Sequence, residues 1–355
     1  MNELQSLTQS VLLAVFGVSF ALGFISQRTH FCTMGAIADV VNMEDWTRAR
    51  QWLLAIGVAM LGFAALSDQG QVDASKSLYA SNRLMWLSTL VGGLMFGYGM
   101  VIASGCANKA LVRIGGGNLK SVVVFMTMGL SAFATMKGLT AVLRVNTVDT
   151  MAIDMPAGAS LTALAGGNWV AYVFGAVLIL VVLRHKDAWS LENLLAGLGV
   201  GGLVVGMWWI TGHMGFVSEH PETLEQVYLA TSSGRMEAFT FVSPVAQSLD
   251  WLMFFSDKSK TLTTGVASVC GVVVGAWLSA ITSKTFRWEG FANACDLGNH
   301  LWGSVLMGVG GVTAMGCTFG QGLSGVSTLS LNAFMAIAAI VVGAVGAMRR
   351  QMANL

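Results

Sequence analysis

The stretch LMFGYGMVIASGCANKAL, residues 94–111, recurs as VLMGVGGVTAMGCTFGQG at 305–322. Gly97, Gly99, Gly105 and Cys106 fall on Gly308, Gly310, Gly316 and Cys317. In both copies an apolar, glycine-rich helical segment ends at a Gly-Cys pair, where the helical pattern breaks. A weaker match sets LLAVFGVSFALGF (12–24) beside LLAGLGVGGLVVGM (194–207) and brings His30 near His213. The repeat predicts a first half over 1–145, a linking span within 146–189 and a second half over 190–355.

Composition supplies the solvent for these halves. The chain of 355 residues is 55% apolar and 10% charged, with mean hydropathy +0.69. A soluble domain needs more charge to cover its surface, so lipid is the expected solvent. A net charge of +1 gives no nucleic-acid footprint. Apolar segments suit spans at 11–26, 51–67, 84–103, 121–136, 168–183, 191–211, 262–281, 299–315 and 331–348. The first, with Glu3 and no Lys or Arg before it, lacks the basic start of a signal peptide and is expected to be retained. The stretches Gln27–Val41, Gly105–Gly117, Phe239–Phe255 and Gly316–Ser327 are too short or broken to span. Irregular backbone at membrane depth must be satisfied by protein or water, so these read as re-entrant loops lining a central path. The fold class is therefore all-α: a polytopic membrane protein of about nine spans plus re-entrant short helices. The repeats are offset by five spans, an odd number, which makes them inverted, as in many transporters.

Charge bias orients the chain. With re-entrant loops returning to their own side, the side holding the C-terminus carries 12 of the 19 Lys and Arg residues, against seven opposite. Without Arg28, Lys109 and Arg113, which fall inside the loops, the balance is nine to seven. The bias predicts a cytoplasmic C-terminus.

Of the five cysteines, Cys32, Cys106 and Cys317 sit where helices break, each beside an expected short-helix start. A helix N-terminus offers free N–H groups and partial positive charge to an anion. A thiol adds a soft, weakly donating surface, which suits an anion with a soft sulfur atom. Gly105 and Gly316 allow close backbone approach beside two of these thiols. Arg113, ahead of Gly115–Gly117, is the favoured attracting charge; Arg28, His30, Lys109 and Gln321 are further candidates, with snorkelling or pairing to Asp39 or Glu44 as the structural alternative for the basic ones. Cys270 reads as packing within a span and Cys295 as a loop thiol. No CxxC or Cys/His cluster occurs, so no metal centre, cofactor or disulfide frame is expected.

These segments resemble the YeeE/YedE family of sulfur-transport membrane proteins. The matching pieces are Gln-Arg followed by Phe-Cys at 27–32, Gly-Cys with a later Arg-x-Gly at 105–115, and Gly-Cys-x-x-Gly-x-x-x-Ser-Gly at 316–325. The resemblance implies an inner-membrane permease taking up thiosulfate or a related sulfur anion. It implies that Cys32, Cys106 and Cys317 pass the ion along by transient S–H···S contacts without a covalent step. It also implies a small soluble sulfur-carrier partner of the TusA type. Some relatives are linked to selenium or other sulfur species, so the substrate does not transfer automatically. The segment 218–261 has no counterpart in the matched motifs.

Three rival readings make different demands. A membrane sulfurtransferase forming a cysteine persulfide needs an activated thiolate, for which Arg28 or Lys109 is the best support. A soft-metal transporter needs clustered thiolate or thioether ligands. A sensor or interaction protein needs no flux. No Walker-type loop is present, which argues against ATP coupling within the chain. The membrane potential opposes anion entry, so uptake needs a downhill substrate gradient or a co-ion.

Overall fold

The computed structural model describes residues 2–156, 158–219, 224–257 and 261–353. Parts of the 218–261 segment therefore lie outside the described residues. The protein is an all-α polytopic membrane protein. The long helix α1 (Asn2–Arg28) leads to a short helix α2 (Thr33–Met43), and α3 (Thr47–Asp68) returns across the structure. Next come α4 (Trp86–Ile102), the short α5 (Ala107–Gly115) and α6 (Leu119–Lys137). Small helices α7 (Leu139–Asn146) and α8 (Leu161–Ala165) precede α9 (Trp169–Leu183). Helices α10 (Leu191–Leu194) and α11 (Val200–Trp209), with π turns after each, form one run over Leu191–Met214. A short α12 (Val242–Met253), α13 (Thr264–Thr282), α14 (Ala294–Thr313), a π turn at Gly320–Gly325 and α15 (Leu331–Ala353) complete the chain. Two-residue strand pairs join Arg83–Leu84 to Ile153–Asp154 and Phe216–Val217 to Val227–Tyr228.

All nine expected spans are helical, but among the described residues seven helical runs are both long and apolar enough to cross a membrane. The α9 helix has 15 residues, about 22 Å of rise against a hydrocarbon core of about 30 Å. The α14 helix is long enough, but carries Asp296, Asn299 and His300 near its start. The predicted re-entrant stretches contain α2, α5, α12 and the 320–325 turn.

Glycines set the central crossing. At Gly99 an added Cβ would lie 2.6 Å from the Gly303 carbonyl oxygen; at Gly310 it would lie 2.7 Å from that of Gly92. Helices α4 and α14 thus touch backbone to backbone, the approach small residues permit between membrane helices. Both then end in the same C-cap. Ser104 (φ 58°) and Met315 (φ 57°) adopt left-handed backbone. Gly105 N–H donates to the Met100 carbonyl and Gly316 N–H to the Gly311 carbonyl, each at 2.8 Å. Ser104 N–H and Met315 N–H donate to the carbonyls of Val101 and Val312, each at 3.1 Å. This is the Schellman pattern, here with side-chain-bearing residues where glycine is usual. The strain is of the kind stored beside functional sites.

Candidate functional site

The two C-caps deliver Cys106 and Cys317 into the protein interior. Each is 1% exposed, and Cys32 is 6% exposed. Cys32 caps α2, its Sγ accepting from the Gly35 N–H at 3.4 Å. Cys317 Sγ accepts from the Gly320 N–H, also at 3.4 Å. Cys106 is the N-cap residue of α5. The Cys32 and Cys106 side chains are neighbours, and the Thr318 side chain, next in sequence to Cys317, adjoins Cys106. On the far side of Cys317, its Sγ is 4.0 Å from Thr240 Oγ1. Cys32, Cys106 and Cys317 are thus buried in one region, with Thr318 between Cys106 and Cys317 and Thr240 beyond Cys317.

A cavity lies at each end of that region. The first, about 300 Å³, is lined by His30, Cys32, Met34, Gly35, Arg48, Ser104, Lys109 and Arg113. A neighbouring cavity shares His30, Lys109 and Arg113 with it and adds Asn118 and Arg287. The other, about 230 Å³, contains Met136, Glu237, Thr240, Thr264 and Met315. Asn118 caps the start of α6 and Met136 is in its last turn, so the ends are separated by about 27 Å of helix. The first end is strongly basic. Arg113 Nη1 donates to the Ser104 carbonyl at 2.8 Å, fixing the guanidinium at the Gly105 turn. At the second cap, Gln321 Nε2 donates to the Ala314 carbonyl at 2.7 Å. Short-helix donors thus satisfy carbonyls beside both Gly-Cys pairs. Arg48 reaches over Gly35 and pairs with Asp39 at 3.3 Å.

An aromatic collar surrounds the thiols. Phe31 stacks on Trp52 at 4.8 Å, and Phe319 meets Trp52 at 5.6 Å and Phe241 at 5.4 Å. Within this apolar surround, the Thr33 and Thr318 hydroxyls, the Asn108 and Gln321 amide oxygens and the Trp52 indole N–H are buried without a nitrogen or oxygen partner among the described residues. Unmade hydrogen bonds are expensive in such a site. The Thr33 and Thr318 hydroxyls and the Trp52 N–H can therefore donate to oxygen acceptors of a guest with a soft sulfur, while the two amide oxygens can only accept.

Most of the residues singled out from sequence converge here. Cys32, Lys109 and Arg113 line the basic cavity, and Gly105 and Gly316 sit in the two turns. His30, at φ 52°, lines both basic cavities, whereas its sequence counterpart His213 stacks on Trp209 at 5.6 Å. Arg28 departs from expectation: it is exposed on the last turn of α1 and lines none of these cavities. Cys270 also departs: it is exposed on α13, not packed, because the inward face of that helix is taken by Gly271 and Gly275 against α1. Sequence reasoning missed Arg48, Thr240, Glu237 and the Phe31–Trp52–Phe319 collar. Phe31 and Phe319 lie one and two residues from motif cysteines, a usable signal; Arg48, Thr240 and Glu237 join the site only through folding.

Comparison with known proteins gives consistent results. A model of the family described as sulphur transport matches residues 28–346. The chain is 27% identical over 347 residues to a protein of Escherichia coli (strain K12) named thiosulfate transporter TsuA, covering 94% of this chain and 93% of that one. It is 25% identical over 346 residues to a protein of the same name from Spirochaeta thermophila (strain ATCC 700085 / DSM 6578 / Z-1203), covering 92% and 94%.

Proposed function

The chain belongs to the sulphur transport family, and from that premise we propose that it is a permease carrying thiosulfate across the cell inner membrane. The observation that supports the proposal is the placement of buried Cys32 at a basic cavity, with Cys106 beside it, and of buried Cys317 beside Thr240 of a second cavity about 27 Å away along α6. The basic end attracts an anion. The thiols offer soft S–H donors to its terminal sulfur, while the unpartnered hydroxyls and indole N–H suit its oxygens. Passage needs only exchange of these contacts, with no covalent step. Both relatives bear the name of thiosulfate transporters.

The matched caps at Ser104 and Met315, with the reciprocal Gly99–Gly303 and Gly92–Gly310 contacts, support two inverted halves joined through α9. The excess of Lys and Arg at the end shared by Arg48, Arg113, Arg287 and Arg350 supports a cytoplasmic C-terminus. Sulfur then emerges at the basic cavity, where a small TusA-like carrier protein would receive it. Radiolabelled thiosulfate uptake into proteoliposomes tests the proposal. Wild-type protein is expected to take it up, and C32A, C106A and C317A to lose most of that uptake. Full uptake by the correctly folded triple variant would refute the thiol path.

A further inference from the structure

The end of the path opposite the basic cavity holds a carboxylate that the thiols do not use. Glu237 is 7% exposed and lines the cavity that contains Thr240 and Met315. Its Oε1 accepts from the Thr264 hydroxyl at 2.8 Å and from the Ser232 N–H at 3.4 Å, and its Oε2 accepts from the Ser233 hydroxyl at 3.3 Å. Thr240, three residues on, touches Cys317.

No basic side chain forms an ion pair with Glu237 among the described residues. Arg235, on the same segment, is held by the Ala80 carbonyl at 3.0 Å. Lys137 at the end of α6 lies over the Phe133 ring at 6.0 Å and lines the adjoining cavity with Asp250 of α12. Tyr79 and Cys317 are the other titratable groups facing this region, and α13 presents the hydroxyl of Thr264. Burial pushes the Glu237 carboxyl above its ordinary range, opposed by the Thr264, Ser232 and Ser233 hydrogen bonds.

A buried carboxylate without a cation is already costly. A dianion arriving at Thr240 and Cys317 makes its charged form costlier still, because like charges disfavour ionisation. Linkage is reciprocal: an anion that raises proton affinity is itself bound more tightly when the proton is present.

We infer that Glu237 is a proton-binding site linked to anion occupancy at the Thr240–Cys317 end of the path. The neutral acid admits the sulfur anion and the carboxylate repels it. Anion binding draws one proton from the cavity onto a Glu237 oxygen, and anion departure returns it to water. The proton lowers the electrostatic cost of admitting the anion at this end of the path.

The inference rests on the transport reading, so the experiment separates the two. Thiosulfate uptake by wild type, E237Q and E237D is measured in proteoliposomes at matched inner and outer pH, from pH 5 to 9. For wild type, apparent KM is expected to rise with pH by up to about tenfold per unit, the limit for one linked proton. E237Q, an uncharged mimic of the acid, should hold a low KM across the range, and E237D should restore the slope. Calorimetry of wild-type protein with thiosulfate, in two buffers of different ionisation enthalpy, should register net proton uptake on binding. A wild-type slope retained in E237Q, or no proton uptake by wild type, would overturn the inference while leaving transport intact. Absence of wild-type uptake and binding at every pH would instead overturn the transport reading and this inference with it.

Discussion

Replacing Gly99 or Gly310 by alanine tests whether the α4–α14 crossing holds the buried thiols together. A Cβ at Gly99 lies 2.6 Å from the Gly303 carbonyl oxygen and 2.9 Å from the Met307 nitrogen; at Gly310 it lies 2.6 Å from the Phe96 nitrogen. The obstacles are backbone, which no rotamer change relieves. Ordinary contact begins near 3.4 Å, so the helices must part by about 0.8 Å at the crossing. Such overpacking costs about 1–3 kcal/mol. Alanine returns about 0.5–1 kcal/mol through helix propensity. Each variant should therefore be destabilised by up to about 2.5 kcal/mol. Because both clashes separate the same two helices, the double variant should lose less than the sum of the singles. Gly17 has nothing within 4 Å of an added Cβ, so G17A is the control and should gain about 0.5–1 kcal/mol. Thermal unfolding of detergent-purified protein provides the stability series, and thiosulfate uptake provides the functional one. Cys106 and Cys317 each follow their crossing glycine by seven residues, so uptake should fall with stability in G99A and G310A but not in G17A. Unfolding of G99A and G310A at or above the G17A temperature would refute the backbone-contact argument, and strictly additive losses would refute the shared crossing.

Three further outcomes are expected. In single-cysteine variants, thiosulfate should slow alkylation of Cys32, Cys106 and Cys317 by a small water-soluble reagent, whereas Cys270, on the outward face of a membrane-spanning helix, should react slowly and ignore substrate; mass spectrometry of the labelled protein checks this. R113Q should reduce uptake several-fold at limiting substrate and less at saturation. It removes both an attracting charge and the hydrogen bond to Ser104, a charge-assisted contact of about 1.5–3 kcal/mol; initial-rate curves measure the difference, and R113K separates charge from bidentate geometry. The Asp45 carboxyl, in the loop between α2 and α3, is held below its ordinary value by hydrogen bonds from the Thr47 hydroxyl and backbone N–H. A depressed carboxyl contributes stability above its unfolded value, lost as pH falls through the folded one. T47V should thus lower the unfolding temperature at pH 7 more than at pH 3.

Much of this architecture is legible in the chain itself. Apolar runs of membrane length place the helices because lipid offers the backbone no partner, and all nine expected segments are helical. The Gly-Cys repeat marks both C-caps because a helix ending at depth needs its carbonyls satisfied, which leaves a local signature. Cys32, Lys109 and Arg113 were legible as candidates because charge and thiols at helix breaks are unusual in so apolar a chain. Sequence could not decide which faces turn inward. Cys270 points outward, and Arg28 stands clear of the cavities, because packing of α13 on α1 and the pitch of the last α1 turn fix those directions. Nor could it bring Thr240 to Cys317, Arg48 to Gly35 or the rings of Phe31, Trp52 and Phe319 together. These contacts join residues far apart in the chain, and only the close glycine crossing of α4 and α14, with the helices packed around it, determines their distances.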